Sequence, residues 1–167
     1  LSTFKHKVKL FSSRDNLSEM LCHSDFEMKE IGRQKTAVFM VVQDEKKTLH
    51  PLATIFIKQC YETLIDVAQE SGGKLPYRTN FILDEFANIG KIPDFDKKIS
   101  TSRSRKISFS VILQNLDQLE AVYKEAYETI IGNCDTHLFL GSNSQKTVEY
   151  FSKALGEKTI FRESESV

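Results

Sequence analysis

Short, continuous apolar runs alternating with stretches of helical periodicity constrain this chain more than any other feature. Ala37-Val38-Phe39-Met40-Val41-Val42, Phe81-Ile82-Leu83, Ile107 to Leu113 and Thr136 to Leu140 are the four runs. An unbroken apolar run predicts a strand buried on both faces, as in a parallel sheet covered by helices. Between the first two runs, Leu52, Ile55, Phe56, Cys60, Leu64 and Val67 recur at helical spacing until Ser71-Gly72-Gly73 stops the pattern, which predicts a crossover helix. Pro93-Asp94 starts a short helix, because proline suits a first turn and aspartate its positive end. Leu116, Leu119, Tyr123, Tyr127, Ile130 and Ile131 predict one long or two short helices. Ser142 or Asn143 caps a last helix, with Val148, Phe151, Ala154 and Leu155 on its inner face and Gly156 at its end. Strands alternating with helices predict an α/β fold with right-handed crossovers and a mainly parallel sheet flanked by helices.

Three segments follow. Residues 1–35 are polar and weakly periodic, a linker or short helical segment in which Ser24-Asp25-Phe26-Glu27 forms a capping box. Residues 36–160 hold the sheet, and 161–167 form a polar tail. The first residue is Leu1 and the last stretch is polar, so the chain is expected to be a piece of something longer. It nevertheless has 167 residues, 40% hydrophobic, enough for one domain with its own core.

Lysine plus arginine (23) equal aspartate plus glutamate (23), which removes the overall basic excess of many nucleic-acid binders and confines any DNA contact to a local patch. Cys22, Cys60 and Cys134 are too few, too far apart and odd in number for a disulfide framework or a zinc site, and the four histidines have no metal-binding spacing. No structural metal is expected. No run reaches the length of a membrane span, so this segment is expected to be soluble.

In α/β sheets ligands gather beyond the carboxyl ends of the strands. Asp84-Glu85 and Gln114 sit at two such ends. An acid closing an apolar strand, followed by a second acid, is the Walker B arrangement: the first carboxylate holds magnesium and the second, on the other side of the pleat, polarises the attacking water. The same residues could simply end a buried strand in solvent. Gln114 could sense a γ-phosphate or cap the next turn. The loop G-x-x-x-x-G-K-[ST] that would cradle the phosphates is absent: Gly72-Gly73-Lys74, Gly90-Lys91 and Gly156-Glu157-Lys158 do not fit it. Lys97, Lys98, Arg103, Arg105 and Lys106 crowd one stretch, either as a solvated surface, or as an arginine reaching a neighbouring subunit's nucleotide beside lysines on a DNA backbone.

Phe81-Ile-Leu-Asp-Glu-Phe-Ala-Asn-Ile-Gly-Lys-Ile-Pro-Asp-Phe95 and Ile130-Ile-Gly-Asn-Cys-Asp-Thr-His-Leu-Phe-Leu-Gly141 together resemble the TraG/TraD family of coupling proteins of conjugation and type IV secretion. The likeness runs from about Ala37 to Thr159, through Ile112-Leu-Gln-Asn-Leu116 and Leu155-Gly-Glu-Lys-Thr159. It implies part of a RecA-like P-loop NTPase domain in a membrane-anchored homo-hexamer. Such a protein uses ATP and Mg2+ to drive relaxase-bound single-stranded DNA into a type IV secretion channel, at the cytoplasmic face of the bacterial membrane. Residues 1 to about 35 would be the exit from an all-helical insertion.

By the same resemblance Asp84 is the magnesium acid, Glu85 the catalytic acid and Gln114 the nucleotide sensor. Arg103 is the arginine acting across subunits, with Arg105 the second choice. From the charge cluster itself, Lys97, Lys98 and Lys106 are the candidate DNA contacts. Gln43 and His137 depart from the family pattern. Without a phosphate-binding loop the isolated chain should be inactive, and without the membrane part it should be a monomer. Rival readings are an FtsK-like DNA pump, a non-enzymatic adaptor that keeps the fold, and a binding module for a relaxosome or channel protein.

Overall fold

The computed structural model describes Glu19, residues 22–42 and residues 49–158; Gln43 and the tail 161–167 lie outside them. Among the described residues the elements with defined bounds follow in order: α1 Met28–Arg33, α2 His50–Glu70, β1 Thr79–Leu83, α3 Phe95–Ser102, β2 Ile107–Val111, α4 Leu116–Tyr123, α5 Ala126–Gly132 and α6 Gln145–Leu155. A 3-10 turn, Arg103–Arg105, joins α3 to β2. β1 and β2 are parallel, with Phe81 opposite Phe109 and Leu83 opposite Val111. A mixed α/β order with a parallel pair is therefore present, and the Leu116–Ile131 pattern resolves into two short helices.

The four-strand expectation is corrected. Among the described residues the sheet has two strands, and both Ala37–Val42 and Thr136–Leu140 are irregular. Apolar composition suits a strand, but a strand also needs a neighbour for its amides and carbonyls. Phe39 and Val41 are 90% and 92% exposed, and Leu138 and Leu140 80% and 90%. The sheet is also one-sided. Asn80, Ile82 and Ser110 are exposed while Leu83 and Ile107 are buried, and Asn80 bonds across the strands to Ser108 and Ser110. This is the alternation of a half-buried sheet, not burial on both faces.

Smaller corrections concern helix ends. α1 begins after Glu27 without a side-chain cap, so the capping box does not form. α3 begins one residue after Asp94, which bonds to Lys97 and does not cap. α6 is capped by Ser144, whose Oγ accepts the Thr147 amide at 3.2 Å. Its expected inner face is largely open: Val148 and Leu155 are exposed, and the side chain it buries is Thr147. Thr147 Oγ1 accepts the Leu116 amide at 3.0 Å, so α6 is stitched to the start of α4 through polar atoms.

α2 presents Ala53, Ile57, Cys60, Tyr61, Leu64, Val67 and Ala68 to the core. It stops where Gly72 and Gly73 take left-handed backbone angles that residues with a Cβ rarely adopt. Gly32 lets α1 close on it; a Cβ there would lie 2.8 Å from Leu75 Cδ2 and 2.9 Å from Leu64 Cδ2. One buried cluster joins Ile31, Leu64, Val67, Leu75 and Ile107, and another joins Leu83, Phe86, Ile92, Phe95 and Tyr123.

In the second cluster the buried Ile92 amide donates to Tyr123 Oη at 3.1 Å. Burial pushes the Tyr123 phenol from 10.0 up to about 12, although that bond acts the other way. Burial likewise raises the Cys60 thiol from 9.0 to about 11. Both folded values lie above the unfolded ones, so the stability these neutral groups give is complete below about pH 9 and is lost as pH rises towards 12. Tyr123→Phe strands the Ile92 amide and should cost about 1–3 kcal/mol at neutral pH. In urea unfolding at stepped pH it should also flatten the limb between about pH 10 and 12, leaving the Cys60 portion.

Candidate active site

β1 ends at Leu83, and the chain turns at once through Asp84 to Asn88. The turn is fixed by Phe86, fully buried, whose ring stacks 5.3 Å from Tyr123 and lies 4.7 Å from Phe95. Its amide donates to Ile112 O at 3.1 Å, and Ile112 N to Leu83 O at 3.0 Å, so the turn stays fastened to the neighbouring strand. Glu85 pays for this with a left-handed φ of 47°. Such strain costs about 1–3 kcal/mol, whereas truncating a buried phenylalanine costs about 3–5 kcal/mol. Phe86 burial wins, and the acid pair is left outside the core.

The two carboxylates are separated by this turn, not by the pleat of a strand. Asp84 is exposed, and its Oδ1 accepts the Glu85 amide at 3.0 Å. Glu85 is half-buried, and Gln114 Nε2 donates to both its oxygens, at 3.0 and 3.1 Å. Asn88 Nδ2 donates to Glu85 Oε2 at 3.0 Å, and Gln118 Nε2 to Gln114 Oε1 at 3.4 Å. Asp84, Glu85 and Gln114 are thus brought together beyond the carboxyl ends of both strands. Sequence reasoning missed Asn88 and Gln118. Their signals were present: Asn88 follows Glu85 by one turn, and Gln118 follows Gln114 at helical spacing. A groove of about 950 Å³ between residues 37–42 and β1 reaches this site, lined by Val38, Met40, Phe81, Asp84, Glu85 and Asn88.

The basic residues lie elsewhere. Arg103, Arg105 and Lys106 precede β2, so a five-residue strand, about 16 Å long, separates them from the carboxylates. Arg103 pairs with Asp135 at 3.4 Å, both largely exposed, and Arg105 donates to Thr101 O at 3.1 Å. Lys97 bonds to Asp94 at 3.1 Å and holds that carboxyl below its usual range. Lys98 donates to Pro93 O at 2.9 Å and sits 5.6 Å from the Tyr61 ring centre. Lys106 makes no ion pair among the described residues. His137 lies apart, with Nδ1 3.3 Å from Tyr150 Oη. Among the described residues no group of three side chains could hold a metal by itself, no cysteine is paired, and no helix is long and apolar enough to cross a membrane.

A family described as the TraM recognition site of TraD and TraG matches residues 78–167, more than half of the chain. The chain belongs to the TraG/TraD family. It is 30% identical over 147 residues to protein VirD4 of Rhizobium rhizogenes, covering 86% of this chain and 21% of that protein. Conjugal transfer protein TraG of Escherichia coli is 26% identical over 174 residues, covering 98% of this chain and 27% of its own length. The chain therefore spans about a fifth to a quarter of the length of the curated relatives it matches. No solved structure matches it.

Glu85 is strained, and its hydrogen bonds to Gln114 and Asn88 are exposed, so water can replace them when the carboxylate is removed. Glu85→Gly should therefore unfold at an unchanged or higher urea concentration, by up to about 1 kcal/mol. Destabilisation beyond about 1 kcal/mol would show that the turn depends on the carboxylate and not on Phe86.

Proposed function

We propose that this chain supplies the magnesium-holding and water-activating half of the ATP site in a conjugative coupling protein, within a RecA-like nucleotide-binding domain. The observation that carries the reading is the acid pair Asp84-Glu85 beyond the carboxyl ends of the parallel strands, with Gln114 of the neighbouring strand's end bonded to Glu85. The family supports it, as does the sheet face left open by Ile82, which suits part of a larger domain. Magnesium asks for few protein ligands, one or two carboxylates with waters and phosphates. Asp84 fits: it is exposed, has no ion pair among the described residues, and spends one oxygen on the Glu85 amide.

The residues would divide the work as follows. Asp84 would hold magnesium, whose charge would offset that of the phosphates. Glu85 accepts the proton of the water that attacks the terminal phosphate of ATP. Gln114, bonded to Glu85, reports the state of that phosphate. Arg103 or Arg105, at the opposite end of the strands, would serve the site of an adjacent subunit in a homo-hexamer. Lys106, with Lys97 and Lys98, would touch a DNA backbone. Because the phosphate-binding loop is absent from this sequence, the grip on ATP comes from elsewhere in the longer parent. The parent would be anchored at the cytoplasmic face of the bacterial membrane, where it would drive relaxase-bound single-stranded DNA into a type IV secretion channel. The family's description adds recognition of a TraM-type partner by residues 78–167.

The test is DNA-stimulated, magnesium-dependent ATP hydrolysis by the full-length parent beside its Glu85→Gln form. Turnover should fall by about a hundredfold or more while nucleotide affinity is retained. Hydrolysis undiminished in Glu85→Gln would contradict the assignment, and a parent that binds partners but hydrolyses nothing would be an adaptor.

A further inference from the structure

The hydrogen bonds around Glu85 form a chain of neutral amides that reaches beyond the residues assigned above. A carboxylate offers about four acceptor positions, two on each oxygen. Oε2 accepts from Asn88 at 3.0 Å and from Gln114 at 3.1 Å, which fills both of its positions. Oε1 accepts from Gln114 alone, at 3.0 Å, and keeps one position open. Among the described residues no lysine or arginine pairs with Glu85.

Asn88 is held where it can do this. Its amide donates to Glu85 O at 2.7 Å, closing the same turn that forces Glu85 into the left-handed region. The orientation of Gln114 is also set. A side-chain amide can present either its oxygen or its NH2 group, and only the NH2 satisfies a carboxylate. Gln118, donating to Gln114 Oε1 at 3.4 Å, occupies the oxygen and leaves Nε2 for Glu85. Gln118 is in turn placed by the first turn of α4, where its backbone amide donates to the Asn115 cap at 3.0 Å.

We propose that Asn88 and Gln118 are positioning residues for Glu85: Asn88 occupies Oε2 so that Oε1 faces the attacking water, and Gln118 fixes the end of Gln114 that meets the carboxylate. This rests on the assignment of Glu85 as the base in ATP hydrolysis. It makes the base a group aimed by three amides, with no lysine or arginine among the described residues bonded to the carboxylate that must accept the proton. A misaimed base loses rate without losing substrate, because neither Asn88 nor Gln118 is needed to hold the nucleotide.

The test is steady-state ATP hydrolysis by the full-length parent carrying Asn88→Ala, Asn88→Asp, Gln118→Ala or Glu85→Gln, with nucleotide affinity and thermal melting measured alongside. Asn88→Ala should lower kcat by about ten- to a hundredfold with KM within about twofold. Asn88→Asp keeps the size but replaces the donor by a like charge beside Glu85, and should lower kcat at least as far. Gln118→Ala should lower kcat severalfold with unchanged affinity. If Glu85→Gln is inactive while both Asn88 variants keep kcat within about twofold of the parent, the positioning role is wrong and the base assignment stands. A raised KM at unchanged kcat overturns it too, since Asn88 would then be a nucleotide contact. If Glu85→Gln itself turns over normally, the base assignment falls and this inference with it.

Discussion

Burial of Phe86 is the constraint on which the site depends. Packed between Phe95 and Tyr123, with its amide tied to Ile112, this side chain holds the backbone one residue past the acid pair. The preceding residue must then adopt an unfavourable left-handed conformation, and that residue is Glu85. A buried aromatic ring supplies more free energy than one strained residue costs. Strain therefore persists at Glu85, whose carboxylate is left outside the core at the position proposed to carry the chemistry. Tyr123 supports the arrangement from α4 by stacking on Phe86 and accepting the Ile92 amide, so the turn and the loop after it share one buried anchor.

The same geometry divides the candidate site residues between two ends of the sheet. Parallel strands put their carboxyl ends together, so Asp84, Glu85 and Gln114 converge although 29 positions separate Glu85 from Gln114. Arg103, Arg105 and Lys106 stand just before β2 and face the other end. An arginine there cannot assist the carboxylates of its own chain. In the proposed ring of subunits, opposite ends of one domain would meet different neighbours, which would give a physical reason for an arginine so remote from Glu85.

What could be read from the sequence follows from how local each signal is. The α2 helix, its glycine stop, the strand of Phe81 to Leu83 and the acids that end it depend on nearby residues and stand where expected, although Ile55 is exposed and Ala53, Ile57 and Tyr61 complete the buried face of α2. Ala37–Val42 and Thr136–Leu140 carry the composition of strands, but pairing depends on a neighbour that composition cannot supply. The inner face expected for α6 failed for a related reason: Val148 and Leu155 have helical spacing without a surface to cover them, and the helix is held instead through Thr147 and Ser144. Asn88 and Gln118 are not singled out by the sequence because amides near a turn are common, and the role proposed for them rests on the direction of each hydrogen bond.

The central claim is that the Asp84-Glu85 turn faces the terminal phosphate of ATP. It is tested most directly by an experimental structure of the full-length parent with magnesium and a non-hydrolysable ATP analogue. The account predicts the ion beside Asp84, a water between Glu85 Oε1 and the γ-phosphate, and Gln114 within hydrogen-bonding reach of both. Nucleotide bound away from this turn, or Glu85 still enclosed by its amides with no water and no phosphate before it, would contradict the account.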